Sequence, residues 1–268
     1  MKLTGKNVLL TGAAGGIGAR LAQELVRRGA RVALVGRKAN ALAQLQARIA
    51  DSGGEAVVVT ADLSDTARLG EVVARCHDAL GGIDLLINVA GQLSFRPFDE
   101  EDPAVLERII RLNLVTPMLL TRALLPQLRE RGGRIINIGS TFGAIGFAWF
   151  SAYSASKFGL RGFSEALRRE LEGSGVGVSY IAPRAVRTPF NTGAIYRMAE
   201  AVGMHMDEPA WVVKQIVSAI ERDTPEAHLG FPEKLFARIN AVLPRLVDAA
   251  LRKQNRAMEA FARGVDQE

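Results

Sequence analysis

The chain has 268 residues, of which 48% are hydrophobic, enough for one large buried core. Cys76 is the only cysteine, which excludes an internal disulfide and fits a reducing compartment, and the scattered His77, His205 and His228 predict no metal site. The net charge of +6 admits nucleic acid, anionic membrane or phosphate-bearing ligands, but the basic residues are dispersed through amphipathic segments, which argues against nucleic acid.

The opening "MKLTGKNVLLTG" lacks a signal peptide's charged-then-apolar layout, and no apolar run is expected to reach bilayer-spanning length, so a cytoplasmic location is expected. Strand-like runs then alternate with helical patterns. Strands are expected at 7–12, 31–37 and 55–63, followed by helices through "ARLAQELVRRGA", "LAQLQARIA" and "RLGEVVARCHDAL". A strand at 84–91 precedes a long helix from about 103 to 131. Further strands follow at 133–140, 177–183 and 227–231. Near-continuous apolar strands joined by helices imply an α/β fold, a doubly wound parallel sheet of Rossmann type with helices on both faces. One domain over 1–230 is expected, with an irregular stretch at 184–206 and a helical tail at 231–268.

Between the first strand and helix lies "TGAAGGIG". Gly12, Gly16 and Gly18, with Ile17 between the last two, allow a tight turn and close approach of a pyrophosphate to the helix N-terminus. The second strand ends in "VGRKAN", where NAD-binding folds place a carboxylate on the ribose. Arg37 and Lys38 stand there instead, and Arg37 suits a 2′-phosphate. NADP(H) is therefore favoured over NAD(H). In "SAYSASKFGL", Tyr153 and Lys157 are four residues apart and share a helix face. That spacing alone favours a half-buried tyrosine beside an exposed lysine, and the rest of the chain has to overturn that reading.

Taken together, these motifs resemble the compact branch of the short-chain dehydrogenase/reductase family over about residues 5 to 230. The resemblance adds Asp62 and Leu63 beside the adenine, and Asn88, Ala90 and Gly91 from the family's Asn-Asn-Ala-Gly motif. It implies a catalytic set of Asn113, Ser140, Tyr153 and Lys157, with Ser140 at the family's usual thirteen residues before the tyrosine. Pro183 and Thr188 match the nicotinamide side. There are two departures. Val89 replaces the second asparagine, and Arg184 replaces a glycine beside the nicotinamide, where it would shift the loop, bring a cation towards the cofactor or substrate, or point to solvent.

In the implied reaction a hydride passes between the cofactor and a carbonyl or secondary alcohol. Tyr153 serves as general acid/base, Ser140 binds the substrate oxygen, and Asn113 holds a water leading to Lys157. Lowering a tyrosine from about 10 to near 7 requires about 4 kcal/mol, which a cation at about 4 Å can supply at an effective dielectric of about 20. Lys157 is expected to do this. Phe190, Ile195, Tyr196, Met198, Met204 and Met206, with Trp149 and Phe150, suggest either an apolar lid that tolerates bulky or extended lipophilic carbonyls or packing against the tail or another subunit. The family also implies a homo-oligomer, dimer or tetramer. In the tail, Leu235, Phe236, Ile239, Val242 and Leu243 recur at helical spacing near Lys234, Arg238 and Arg245, as in interfacial helices. Packing on the domain or on another subunit is the commoner fate of such a stripe. A non-catalytic cofactor-binding protein and a membrane-surface protein are the alternatives to an enzyme.

Overall fold

The computed structural model describes residues 1–265. Seven strands, β1 (Asn7–Thr11), β2 (Arg31–Gly36), β3 (Ala56–Thr60), β4 (Leu85–Asn88), β5 (Arg134–Ile138), β6 (Gly177–Ala182) and β7 (Glu226–His228), form one parallel sheet in the order 3-2-1-4-5-6-7. The helices are α1 (Gly16–Arg27), α2 (Ala39–Asp51), α3 (Leu69–Leu80), α4 (Pro103–Ile110), α5 (Thr116–Arg131), α6 (Ser151–Glu170), α7 (Gly193–Ala201), α8 (Pro209–Glu221), α9 (Glu233–Val242) and α10 (Pro244–Arg263).

The strands are apolar throughout because both faces are covered. Val8, Leu10, Val32, Leu34 and Ile87 pack with α1, α2 and α8, while the intervening Leu9, Ala33, Val35 and Leu86 pack with α3 and α5. Cys76 is fully buried in the second layer, and desolvation pushes its thiol up to about 12, so it is packing. The strand order reverses between β1 and β4, which opens a crevice at the C-terminal ends of the strands, the usual ligand site of open α/β sheets.

The expected helix over 103–131 is interrupted by a π turn at Arg111–Val115. Pro117 accounts for it. Proline has no N–H for the carbonyl four residues back, here that of Asn113, and its ring crowds that carbonyl. Against the expectation that no run reaches bilayer-spanning length, Pro103–Arg131 does so by length and composition. It lies on the sheet, with Leu120, Leu124 and Leu128 in the second core layer. The stretch 184–206, expected to be irregular, contains α7, whose N-terminus is capped by Thr192 through the Ile195 N–H. Its apolar residues are spaced for a helix, but only nine residues long.

Candidate active site

The glycine turn abuts the loop after β4. Gly12 has φ +67°, and a Cβ there would stand 2.8 Å from the Ala90 main chain; one on Gly18 would strike the Gly12 carbonyl. Thr11 Oγ1 accepts from the Val89 and Ala90 N–H groups, which ties the two loops together without the side chain that Val89 replaced. No side chain caps α1 and no acidic residue occupies its first turn, so the N–H groups around Gly16, Ile17 and Gly18 suit an anion. Arg37 and Lys38 are exposed at the end of β2. Asp62, 3.9 Å from Arg37, accepts from Ser64 N–H and Oγ; burial raises its pKa, but these bonds and the charges of Arg37 and Arg108 outweigh that and leave it low. Leu63 is buried, its carbonyl held by Thr116 Oγ1. Gly91 lies against Asn113. These residues fit a dinucleotide phosphate end.

Asn88 turns inward. Its Nδ2 donates to Asn137, which donates to Ser164, forming a buried polar ladder that ties β4 and β5 to α6. Asn137, Ser164 and Tyr180 escaped sequence reading. Tyr180 Oη accepts from the Ser140 N–H and donates to the Ser140 carbonyl, which fixes the end of β5.

Ser140, Tyr153 and Lys157 are brought together. All three are buried, and Ser140 Oγ accepts from the Phe142 N–H. Desolvation pushes the Tyr153 phenol up to about 12, with Ser140 pulling the other way, and brings Lys157 down to about 8. Lys157 Nζ donates to the Ile138 carbonyl at 3.0 Å and lies 5.7 Å from the centre of the Tyr153 ring. The expected lowering of Tyr153 by Lys157 is not seen: burial and Ser140 are the causes that act on the phenol. Burial dominates: it raises the phenol and lowers the lysine, which stays mostly protonated at neutral pH. Asn113 holds the loop after β4, accepting from Gln92 N–H and donating to Gln92 O and Ser156 Oγ.

The other wall is apolar. Phe150, Tyr153, Ile195, Met198, Met206 and the tail's Met258 form one buried cluster, joined by Trp149, Tyr196 and Met204. Phe190 is 41% exposed, its ring 6.2 Å from that of Tyr153. Trp149 has φ +69°, a costly conformation for a large side chain. Its carbonyl accepts from Arg96 N–H and its indole donates to Asn255 O of α10, so it pins the tail beside the start of α6. Pro183 O accepts from Thr141 N–H, and Thr188 lies against Gly16. Arg184 does not point to solvent. Its guanidinium forks onto Asp207 with two 2.8 Å bonds and donates to Phe231 O, closing the base of the 188–206 segment.

A model of the short chain dehydrogenase family matches residues 6–197. A ketoacyl reductase of Nostoc sp. is 39% identical over 226 residues, covering 84% of this chain and 78% of its own. A fatty acyl-CoA reductase of Mycobacterium tuberculosis is 38% identical over 192 residues, covering 70% and 65%. The crystal structure of a short-chain dehydrogenase from Streptomyces avermitilis matches with a TM-score of 0.78 and 33% identity, over 94% of this chain and 97% of that one.

Proposed function

The chain belongs to the short-chain dehydrogenase/reductase family of oxidoreductases, which use a nicotinamide cofactor, and from that premise we propose that it reduces lipophilic, acyl-chain carbonyls with NADPH, and runs the reverse reaction on the corresponding secondary alcohols. The observation that carries this reading is the burial of Ser140, Tyr153 and Lys157 in one site, with Lys157 Nζ 5.7 Å from the centre of the Tyr153 ring. Gly12, Gly16 and Gly18 would admit the pyrophosphate and Arg37 the 2′-phosphate, with Asp62 and Leu63 at the adenine and Thr188 at the nicotinamide.

A bound dihydronicotinamide would supply the hydride to the carbonyl carbon. Ser140 Oγ donates to the substrate oxygen and holds the carbonyl against Tyr153. With its pKa near 12, Tyr153 keeps its proton at neutral pH and gives it to that oxygen as the carbon–oxygen double bond becomes a C–O–H single bond. Lys157 stands beside the phenol to hold or return a proton, and Asn113 keeps the loop after β4 in place. Aromatic and methionine side chains exclude water and fit varied apolar shapes. The names of the two reductases above, a ketoacyl reductase and a fatty acyl-CoA reductase, agree with that wall.

The test is NADPH consumption against 3-ketoacyl thioesters and ketones of increasing chain length. kcat/KM is expected to climb with each methylene, at about 0.8 kcal/mol of binding per buried group. A flat series, or a preference for small polar carbonyls, would remove the lipophilic reading. Cofactor binding without any turnover would favour a non-catalytic protein.

A further inference from the structure

The tail has two apolar faces, and the domain covers one of them. Ala237, Ile239, Val247 and Leu251 pack with Ala144 and Ile145, and Asn240 Nδ2 donates to the Ala144 carbonyl. On the outer side Phe231, Leu235, Phe236, Val242, Leu243 and Leu246 are exposed, Val242 at 76% and Leu246 at 58%. Of the sequence stripe, only Ile239 packs on the domain. The turn of α9 into α10 is therefore an apolar corner of a kind that marks interaction surfaces.

Charge indicates what the corner meets. Lys234, Arg238 and Arg245 are exposed among these side chains, and Asp248 is the only carboxylate in residues 234–250. Leu235, Arg238 and Val242, spaced three and four apart, share one face of α9. A second copy seated on this face would set cation against cation. An anionic bilayer takes apolar side chains at the headgroup boundary and cations at the phosphates together.

We propose that the α9–α10 corner docks on anionic phospholipid bilayers, with Phe231, Leu235, Val242, Leu243 and Leu246 entering the interface and Lys234, Arg238 and Arg245 meeting lipid phosphates. The second of these helices, α10, roofs the cleft through Met258 in the Tyr153 cluster and the Trp149 indole bonded to Asn255. Docking places that cleft beside the membrane, where lipophilic carbonyls partition. The docking itself is read by binding alone and does not depend on the reaction proposed above.

The experiment sediments the full chain with vesicles of phosphatidylcholine alone and of an equal mixture of phosphatidylcholine and phosphatidylglycerol. Binding is expected to the mixed vesicles, and to weaken about tenfold or more on pure phosphatidylcholine or in high salt. The Leu243→Glu/Leu246→Glu variant should lose binding to a similar degree while keeping the parent's melting temperature and cofactor titration, since both side chains are exposed. Arg238→Glu/Arg245→Glu should do the same. The proposal is overturned if the parent ignores both vesicles or if the variants bind as well as the parent. It is equally overturned if ultracentrifugation shows a dimer that the leucine variant dissociates and no vesicle binding, because a second copy then covers the corner.

Discussion

Where the glycine turn meets the loop after β4, main chain touches main chain: Gly12 on Ala90 and Gly18 on Gly12. Across the cleft, contact is between side chains on flexible stems, Met198, Met206 and Met258 around aromatic rings. A site built from backbone cannot be resized by substitution, because any added atom collides. A wall of methionines and rings can be resized at almost every position. The contrast suits a fixed cofactor end facing an adaptable substrate end.

The largest expected effect lies where the two meet. Tyr153→Phe removes the proton donor and keeps the ring, so turnover should fall about 10²–10⁴-fold with cofactor affinity unchanged in a fluorescence titration. A folded variant with near-normal turnover would sever Tyr153 from the chemistry. Asp207→Ala removes the carboxylate on which the Arg184 guanidinium forks, a group only 13% exposed, and should lower stability by about 3 kcal/mol. If the roof is mechanically separate from the cofactor end, KM for substrate rises while the cofactor Kd holds. Equal losses in both would merge the two regions.

Lys157→Met tests the cost of burying an ammonium. Burial brings the lysine from 10.5 to about 8, a difference of 2.5 units or about 3 kcal/mol. Below about pH 8 that penalty is fully present; between about pH 8 and 10.5 the unfolded chain holds a proton the folded one has released, so wild-type stability rises with pH. The methionine variant should therefore be more stable than wild type near neutrality, and its lead should shrink by about 3 kcal/mol across that window in urea titrations. A constant difference between the two would mean that the lysine is not buried in its charged form. The smallest expected effect is at the solvent edge, where Arg37→Ala should weaken NADPH about tenfold and leave NADH unchanged. Equal loss for both cofactors would remove Arg37 as the discriminator.

Sequence reading succeeded where local rules apply. Strand hydrophobicity and glycine placement located the sheet and the glycine turn, and the i, i+4 spacing brought Tyr153 and Lys157 to one helix face. Expected strands ran long at their C-terminal ends, to Gly12, Arg37, Leu63, Gly91 and Pro183, because apolar and small residues continue past the last ladder bond into the loops that line the crevice. Pro117 was a readable signal for the π turn at Asn113. The Arg184–Asp207 fork and the Trp149–Asn255 bond were not readable, since partners 23 and 106 residues apart leave no period in the chain. The pull expected of Lys157 on Tyr153 failed for a related reason. Spacing reports which groups are near each other, whereas burial, which sets both proton affinities here, is a property of the whole fold.

The roof also has a place in time. β7 ends at His228, so every strand of the sheet precedes α9 and α10 along the chain. Domains form from the N-terminal side during synthesis at roughly 5–20 residues per second. On a ribosome, therefore, the glycine turn, Ser140, Tyr153 and Lys157 all emerge before Asn255 and Met258 can reach Trp149. The nascent protein passes through a stage in which its cofactor crevice is formed and its cleft is still open on the tail side.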